Sequence, residues 1–391
     1  MAKNILVFVD GTGNEGGILP DESRTNVYKL YRATRSGPDS VVDPASQLAF
    51  YIHGIGTPEP GKPIKLRDHI HQMFGGGLTN RIIEGYAAII SVWQPGDRIY
   101  LFGFSRGAYV VRCLAHVVEL FGIPTQDGRG REISLAPGSL RKLCKEAVRI
   151  LYFCGYAKKD STTRTKAVEQ FRRRYACEVG AQIGAAPYFI GVWDTVAAVG
   201  WSRFFKTGYD LHLPKSVRFA RHAMAIDEYR RDFARVRWGG HNLPDSRPGE
   251  PDAFEQIWFA GNHADIGGSY PENESRLSDI VLKWMVDFIQ SKLPPEGQVK
   301  IDQRFLVLYP SADGMMHDEC MVGIGGTPLK WYPDDRDVPH DALLHPTVYE
   351  RLQIQAVRNF TSYGKYRPMP LRNHEKAKEY FEPELKSSAR T

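Results

Sequence analysis

The segment "LFGFSRGAYV", residues 101–110, marks a change from strand to helix. The apolar run from Ile99 to Phe102 leads into this segment and follows a turn at Pro95-Gly96-Asp97, which is typical of a buried strand. Beyond it, apolar residues recur three and four positions apart up to Gly122, which predicts an amphipathic helix. These residues are Ala108, Val111, Leu114, Ala115 and Val118. The sequence therefore predicts a strand, a sharp turn at Ser105 and a helix.

Ser105 lies between Gly103 and Gly107 in a G-x-S-x-G pattern. In such an elbow the serine occupies a strained strand-to-helix turn, and the flanking glycines let the two elements pass closely. The simpler alternative is an ordinary turn, which Gly and Ser also favour. Because both flanks have the required character, we interpret Ser105 as a candidate nucleophile.

Short apolar segments alternate with longer helical patterns along the chain. Strands are predicted in "NILVFVDG", "QLAFYIHG", "APYFIGVWD", "FEQIWFAG" and "QRFLVLYP". Helical spacing occurs in "RTNVYKLYRAT", "LTNRIIEGYAAIISVW" and "RLSDIVLKWMVDFIQSKL". The alternation predicts an α/β fold with a mostly parallel central sheet and helices on both faces.

The chain is predicted to form a single domain over residues 1–365, followed by a polar tail at 366–391. A helical insertion, at about 123–184, is expected to cover one end of the sheet as a lid or a structural cap. Its two helical patterns carry basic and apolar positions. Two interpretations stay open: contact with an anionic membrane surface, or solvated helices packed on the core.

Ligands of parallel α/β sheets bind beyond the carboxyl ends of the strands. A serine nucleophile needs a base and a group that orients the base, in the chain order Ser, Asp, His. Asp194 ends one predicted strand and His263 follows the next, so both fit. Asp194 as a helix cap, and Asp265 with His345 as a rival pair, stay open.

His345-Pro346 also fits the entry of a helix, with proline at the first helical position. The histidines His53, His116 and His222 are expected to be satisfied core or surface residues.

An acyl-transfer site also needs donors for a developing oxyanion. The Arg106 N–H, directly after the serine, is one candidate. The second is expected from the loop after the first strand, at Gly11 or Thr12. A carboxylate at Asp10 would repel an oxyanion, so we expect Asp10 to accept hydrogen bonds and shape the loop.

Composition narrows the function classes. The 391 residues carry a modest net charge of +6, and 42% are hydrophobic, which is ordinary for a globular protein. Nucleic acid is not an expected partner, and the oligomeric state is not predicted. Five scattered cysteines without a C-x-x-C pair predict neither a zinc site nor a disulfide framework, and no cofactor or metal is expected.

Two motifs resemble phosphate-handling sites and are rejected. The stretch from Gly56 to Pro63 nearly matches a phosphate loop, but Pro63 replaces the required hydroxyl, and Pro58 and Pro60 remove amides that would bind phosphate. The "VFVDGTG" stretch has Phe8 where an aspartate-nucleophile phosphatase would need a second Asp.

The N-terminal apolar run is too short for a signal peptide, and no run reaches 18 apolar residues. We expect cytoplasmic synthesis, with any export by a route that needs no cleaved signal.

Five motifs in combination resemble one family. They are "FVDGTGN", "GFSRGAY", "GVWDTV", "RHAMAIDE" and "WFAGNHADIGGSY". Together they are similar to the α/β-hydrolase-like catalytic domains of type VI secretion lipase effectors, over residues 3 to about 360. The resemblance implies phospholipase or carboxylesterase activity with Ser105, Asp194 and His263 as the triad. By its pattern, "RHAMAIDEYRRD" is interpreted as a helix with ion pairs among its charged residues, which are Asp227, Glu228, Arg230 and Arg231.

Two function hypotheses follow. The first is a serine ester hydrolase acting on lipid or another acyl ester. The contrasting one is a catalytically silent module that keeps the fold for binding or as part of a toxin.

Overall fold

A computed structural model describes residues 2–11, 14, 23–54, 77–153, 161–196, 212–231, 233, 236–238, 246, 248–320 and 333–381. Within these residues, a central sheet has six strands, all parallel, in the order β2-β1-β3-β4-β5-β6. The strands are β1 (Asn4–Val9), β2 (Gln47–Ile52), β3 (Arg98–Phe104), β4 (Pro187–Trp193), β5 (Phe219–Ala225) and β6 (Phe254–Phe259). The predicted α/β fold is confirmed.

Helices connect the strands and cover both faces of the sheet. They are α1 (Asn26–Thr34), α2 (Gly77–Val92), α3 (Arg106–Phe121), α4 (Pro137–Phe153), α5 (Ser161–Arg174), α6 (His263–Gly267), α7 (Arg276–Asp287) and α8 (Pro346–Gln353). Helix α7 continues as a π-helical turn, Phe288–Lys292, and a small hairpin joins β7 (Val357–Asn359) to β8 (Ser362–Gly364).

The sheet is buried on both faces, which explains why its strands read as continuous apolar runs. In β1, Ile5, Val7 and Val9 face a core formed with α2, α3, α4 and α5. Leu6 and Phe8 face the opposite core, formed with α1 and α7. The alternation of side chains along a strand thus supplies both cores at once.

The two glycines around Ser105 are required by close packing. A Cβ at Gly103 would lie 2.5 Å from the Gly107 carbonyl oxygen, so strand β3 and helix α3 could not pass each other. A Cβ at Gly107 would lie 2.5 Å from the Asp10 carbonyl oxygen and would also overlap that of Val9. The second glycine therefore lets α3 start directly against the end of β1.

The helix predicted for "RHAMAIDEYRRD" is wrong for the first half of that segment. Its first residues, up to Ala225, belong to strand β5. The polar residues Arg221 and His222 interrupt the apolar pattern that is expected of a central strand. Both have partners within the fold. Arg221 pairs with Glu255 at 3.0 Å, and the His222 ring contacts the side chain of Gln256 at 3.1 Å. The expected ion pair after the strand does form, between Glu228 and Arg230 at 2.7 Å.

The predicted strand "QRFLVLYP" is also wrong. Residues Gln303–Phe305 form a single 3₁₀ turn, and the chain then crosses the helices instead of joining the sheet. The Asp302 N–H donates to the Ala33 carbonyl at the end of α1, and the Tyr309 N–H donates to the Asp279 carboxylate on α7. In a strand, the Tyr309 N–H would have donated to a neighbouring strand instead.

Helices α4 and α5 lie within residues 123–184, and the interpretation of this segment as an insertion stays a prediction. The apolar residues of α4 are buried in the first core; they are Leu140, Leu143, Cys144, Ala147, Val148, Leu151 and Tyr152. Beyond its first turn, the exposed residues of α4 are basic; they are Arg141, Lys142, Lys145 and Arg149. The apolar side is therefore occupied by the core, and the side that faces solvent is cationic.

Part of the described chain beyond 365 packs into the fold. Tyr366, Leu371 and Phe381 are buried in a third apolar cluster with Met224 and Trp258 at the ends of β5 and β6. The division at 365 itself stays a prediction. Within the described residues, no helix combines the length and the apolarity that a membrane span requires.

We expect Gly107→Ala to lower the free energy of unfolding by about 1–3 kcal/mol, since backbone oxygens of β1 cannot move aside cheaply. Gly138 is a matched control, because it is also the second residue of its helix and has no neighbour within 4 Å of a built Cβ. Gly138→Ala should leave stability unchanged or raise it by up to about 1 kcal/mol. Thermal unfolding of both variants checks this, and equal effects would contradict the packing argument.

Candidate active site

Ser105 and Asp194 are neighbours because of strand register. Phe104 at the end of β3 pairs with Trp193 at the end of β4, and the next residue of each strand is Ser105 or Asp194. The Ser105 N–H donates to the Trp193 carbonyl at 3.1 Å. Parallel pairing thus places both side chains at the same edge of the sheet, as the sequence order predicted.

Both residues have unusual backbone conformations. Ser105 has φ 57° and ψ −123°, and Asp194 has φ 33°. A positive φ is costly for residues with a side chain, by roughly 1–3 kcal/mol, and persists where the surroundings impose it. Helix α3 begins at Arg106, directly after Ser105, whose side chain makes no capping hydrogen bond to that helix.

The Asp194 carboxylate is fully buried and holds His263. Its Oδ2 lies 2.6 Å from Nδ1 of His263. Its Oδ1 accepts the N–H of Ala225 at 3.1 Å, at the end of β5. Asp194, which follows β4, therefore contacts a histidine that follows β6, two strands away in the sheet.

A buried arginine contacts the same carboxylate. Arg336 Nη2 donates to Asp194 Oδ2 at 3.0 Å, and Nη1 lies 3.3 Å from Oδ1. Burial alone would raise the pKa of Asp194, but the Arg336 guanidinium and the hydrogen bond with His263 hold it well below its ordinary range. Asp194 is thus kept ionised in a dry environment.

His263 is the first residue of the short helix α6. Asn262, which precedes His263, and Asp265, which lies two residues after it, form a reciprocal capping box that fixes the start of this helix. The His263 N–H donates to Glu228 at 3.2 Å, and its ring packs on Phe104 with centroids 4.6 Å apart. His263 therefore lies against the residue that immediately precedes Ser105.

The close approach of α6 to β3 depends on a glycine. A Cβ at Gly267 would overlap the ring of Phe104. A second ring, that of Phe233, packs edge-on against His263 with centroids 5.2 Å apart. The imidazole is thus held between two aromatic rings, with little freedom to rotate.

The rival pair is not brought together. The Asp265 carboxylate contacts His317 Nδ1 at 2.8 Å and supports the capping box. His345 instead caps helix α8, with its Nδ1 2.8 Å from the Thr347 hydroxyl and Pro346 at the first helical position. His345 therefore occupies the helix entry that the sequence offered as its alternative role.

The helix that Asp194 was alternatively expected to cap would lie at residues 197–211, outside the described part of the chain. The same holds for the rejected phosphate loop from Gly56 to Pro63.

Asp10 accepts hydrogen bonds directly after β1, as expected from the sequence. Its carboxylate accepts hydrogen bonds from Gly11 N–H at 2.7 Å, from the Thr25 hydroxyl at 2.7 Å and from the Tyr51 hydroxyl at 2.6 Å. Gly11, a predicted oxyanion donor, thus has its N–H engaged by Asp10. The other predicted donor of this loop, Thr12, lies outside the described residues.

Two other histidines are satisfied structural residues, as predicted. His222 is buried and contacts Gln256, and burial together with the nearby Arg112 lowers its pKa to about 3, so it is neutral. His116 Nε2 lies 3.0 Å from the His212 carbonyl oxygen. Among the described residues, no group of three or more histidine, cysteine or acidic side chains could hold a metal ion.

Sequence reasoning missed three residues around the site. Arg336 contacts Asp194, Glu228 accepts the His263 N–H, and His317 pairs with Asp265. No local sequence pattern marks these residues, because each is tied to the site by a contact with a residue that is distant in the chain.

Residues 3–288 match the family described as the T6SS phospholipase effector Tle1-like catalytic domain. The chain belongs to this family. The resemblance predicted from the sequence motifs is therefore confirmed. The match includes the three predicted triad residues of this Tle1-like chain and ends before Arg336.

Individual relatives are distant. An uncharacterized protein of Saccharomyces cerevisiae, YEL023C, is 29% identical over 247 residues, which cover 60% of this chain and 32% of the relative. An uncharacterized protein from Pseudomonas aeruginosa has a TM-score of 0.39 at 17% identity, over 79% of this chain and 48% of its own. The Tle1 effector bound to the VgrG spike has a TM-score of 0.35 at 21% identity, over 71% and 52%. The Tle1-like chain thus spans at most about half the length of these proteins.

Asp10 should make stability depend on pH in a defined direction. Burial raises its pKa from 3.8 to about 6, against the three hydrogen bonds it accepts. Between these values the folded state binds more protons than the unfolded state, so stability falls as the pH rises. Relative to Asp10→Asn, the wild type should gain about 2 kcal/mol between pH 7 and about pH 4.5.

Urea unfolding of both proteins at the two pH values measures this difference, since the other acidic groups titrate in both and cancel. Parallel pH dependence of the two proteins would contradict the assignment.

Proposed function

We propose that this protein is a serine ester hydrolase with Ser105 as nucleophile, His263 as general base and Asp194 as the group that orients the base. The observation that carries the proposal is the buried contact of 2.6 Å between Asp194 Oδ2 and His263 Nδ1. It lies beside a serine held in a strained turn between a strand and a helix. This is the set of roles that serine catalysis requires.

The proposed reaction begins when the Ser105 hydroxyl attacks the ester carbonyl. Since His263 Nδ1 faces Asp194, its Nε2 is the nitrogen that takes the proton from Ser105. The same nitrogen then returns the proton to the leaving alcohol. Water completes the cycle by attacking the acyl-enzyme, again with His263 as base.

The oxyanion would form at the start of helix α3. The N–H of Arg106 follows the nucleophile directly and lies at the positive end of a 16-residue helix. The second donor is proposed in the loop after β1, at Thr12 in preference to Gly11, because the Gly11 N–H already donates to Asp10. Such donors stabilise charge that develops only during the reaction.

Family membership favours a phospholipid as the ester, because the family is described as a phospholipase effector catalytic domain. It also favours secretion, and export without a cleaved signal stays a prediction from the sequence. A silent binding module would not need a buried, ionised Asp194 next to His263.

Ser105→Ala and His263→Ala should each reduce hydrolysis of a short-chain nitrophenyl ester by a factor on the order of 10⁴ or more, because the two side chains act together. His345→Ala is the matched control, since it removes a helix cap and is expected to cost about 1 kcal/mol of stability but little activity. Steady-state kinetics and thermal unfolding separate the two effects. Activity above about a tenth of wild type in Ser105→Ala would refute the nucleophile.

The cationic side of helix α4 supports contact with an anionic membrane as a further part of the proposal. Exposed cations are screened within a Debye length of about 8 Å at physiological salt. Binding to vesicles that contain anionic lipid should therefore fall steeply with added salt, while hydrolysis of a small neutral ester changes little. Lys142→Glu with Lys145→Glu should weaken vesicle binding, and salt-independent binding would contradict the electrostatic contact.

A further inference from the structure

One oxygen of Asp194 has two hydrogen-bond donors. Oδ2 contacts His263 Nδ1 at 2.6 Å and Arg336 Nη2 at 3.0 Å. The guanidinium also reaches Oδ1, at 3.3 Å, so it contacts both oxygens and lies along the carboxylate. A bidentate contact of this kind fixes the plane of the carboxylate as well as its position.

Arg336 is itself held in place by backbone contacts. Asp334 N–H donates to the Tyr229 carbonyl at 2.7 Å, and Pro333 forms an isolated bridge with Arg230. Arg336 Nε donates to the Glu228 carbonyl at 3.3 Å. The segment 333–336 is therefore bound to the turn that follows β5, and its arginine is directed into the site.

We propose that Arg336 is a positioning residue of the triad: it orients the Asp194 carboxylate toward His263 and sets the pH range over which His263 acts as a base. This inference rests on the proposed function and extends it to a residue outside the matched family region, 3–288.

The charge argument follows from the shared oxygen. Asp194 favours a protonated imidazole, while the fixed positive charge of Arg336, which contacts the same Asp194 oxygen as the ring nitrogen, opposes it. Without Arg336 the whole charge of Asp194 would act on His263. The protonated, inactive form would then persist to higher pH.

Other charged groups lie around this pair and are retained in the test. The Glu228 carboxylate accepts a hydrogen bond from the backbone N–H of His263 and is paired with Arg230. His222 lies near Asp194 and is neutral, with Arg112 beside it. None of these contacts involves the Arg336 guanidinium nitrogens that face Asp194, so a substitution of Arg336 changes the charge on Asp194 most directly.

The test compares Arg336→Met and Arg336→Lys with the wild type. The pH dependence of kcat/KM for a short-chain nitrophenyl ester reports the protonation of the base in the free enzyme. In Arg336→Met we expect the acid limb to move to higher pH by about one pH unit. In Arg336→Lys the charge remains, so the limb should stay in place while kcat falls roughly tenfold through lost bidentate geometry.

Arg221→Met is the matched control, because Arg221 is also buried and paired with a carboxylate, Glu255, but makes no contact with the triad. It should lower thermal stability without moving the acid limb. A shift of equal size in Arg221→Met would mean that the effect is structural and would overturn the proposal.

A second readout does not require activity. The pH midpoint of the His263 ring resonances, followed by NMR, should lie higher in Arg336→Met than in the wild type. An unchanged midpoint would overturn the role of Arg336, whereas a shifted midpoint in a protein without hydrolysis would refute the proposed function alone. If Arg336→Met does not fold, Arg336→Lys decides, because a wild-type kcat in that variant would also overturn the proposal.

Discussion

The arrangement of this site depends on one buried negative charge. Asp194 lies in an environment that would neutralise an isolated carboxylate, and burial of an unpaired charge costs several kcal/mol. It stays ionised because Arg336 and His263 converge on it, one from the C-terminal region and the other from the helix after β6. The requirement to satisfy this charge therefore ties together three distant parts of the chain, and the ends of β4 and β5 are held with them.

The strand ends provide the frame for this charge. Register between β3 and β4 places Ser105 beside Asp194, and both adopt positive φ values that an unconstrained chain would avoid. Close packing at Gly107 and Gly267 brings helices against β1 and β3 where a larger residue would hold them apart. The positive φ values and the two glycines are therefore local features that let Ser105, Asp194 and His263 lie close together.

Sequence patterns sufficed for the elements and residues that carry local signals. The strand-to-helix turn at Ser105 and the strands that precede Asp194 and His263 follow from apolar runs and glycine spacing, and the α/β fold follows from their alternation. The patterns failed for β5, since polar residues in a central strand are satisfied only by tertiary contacts. They also failed for Arg336, because its role depends on a carboxylate 142 positions earlier in the chain, which no local periodicity can indicate.

The central claim is that Ser105 is activated by the buried pair of His263 and Asp194. The most direct measurement is covalent labelling by a fluorophosphonate, with the modified residue located by mass spectrometry. The account predicts that the folded wild type is labelled at Ser105 and that labelling is lost in Ser105→Ala and strongly slowed in His263→Ala. A folded wild-type protein that does not react, or that is labelled at a different serine, would contradict it.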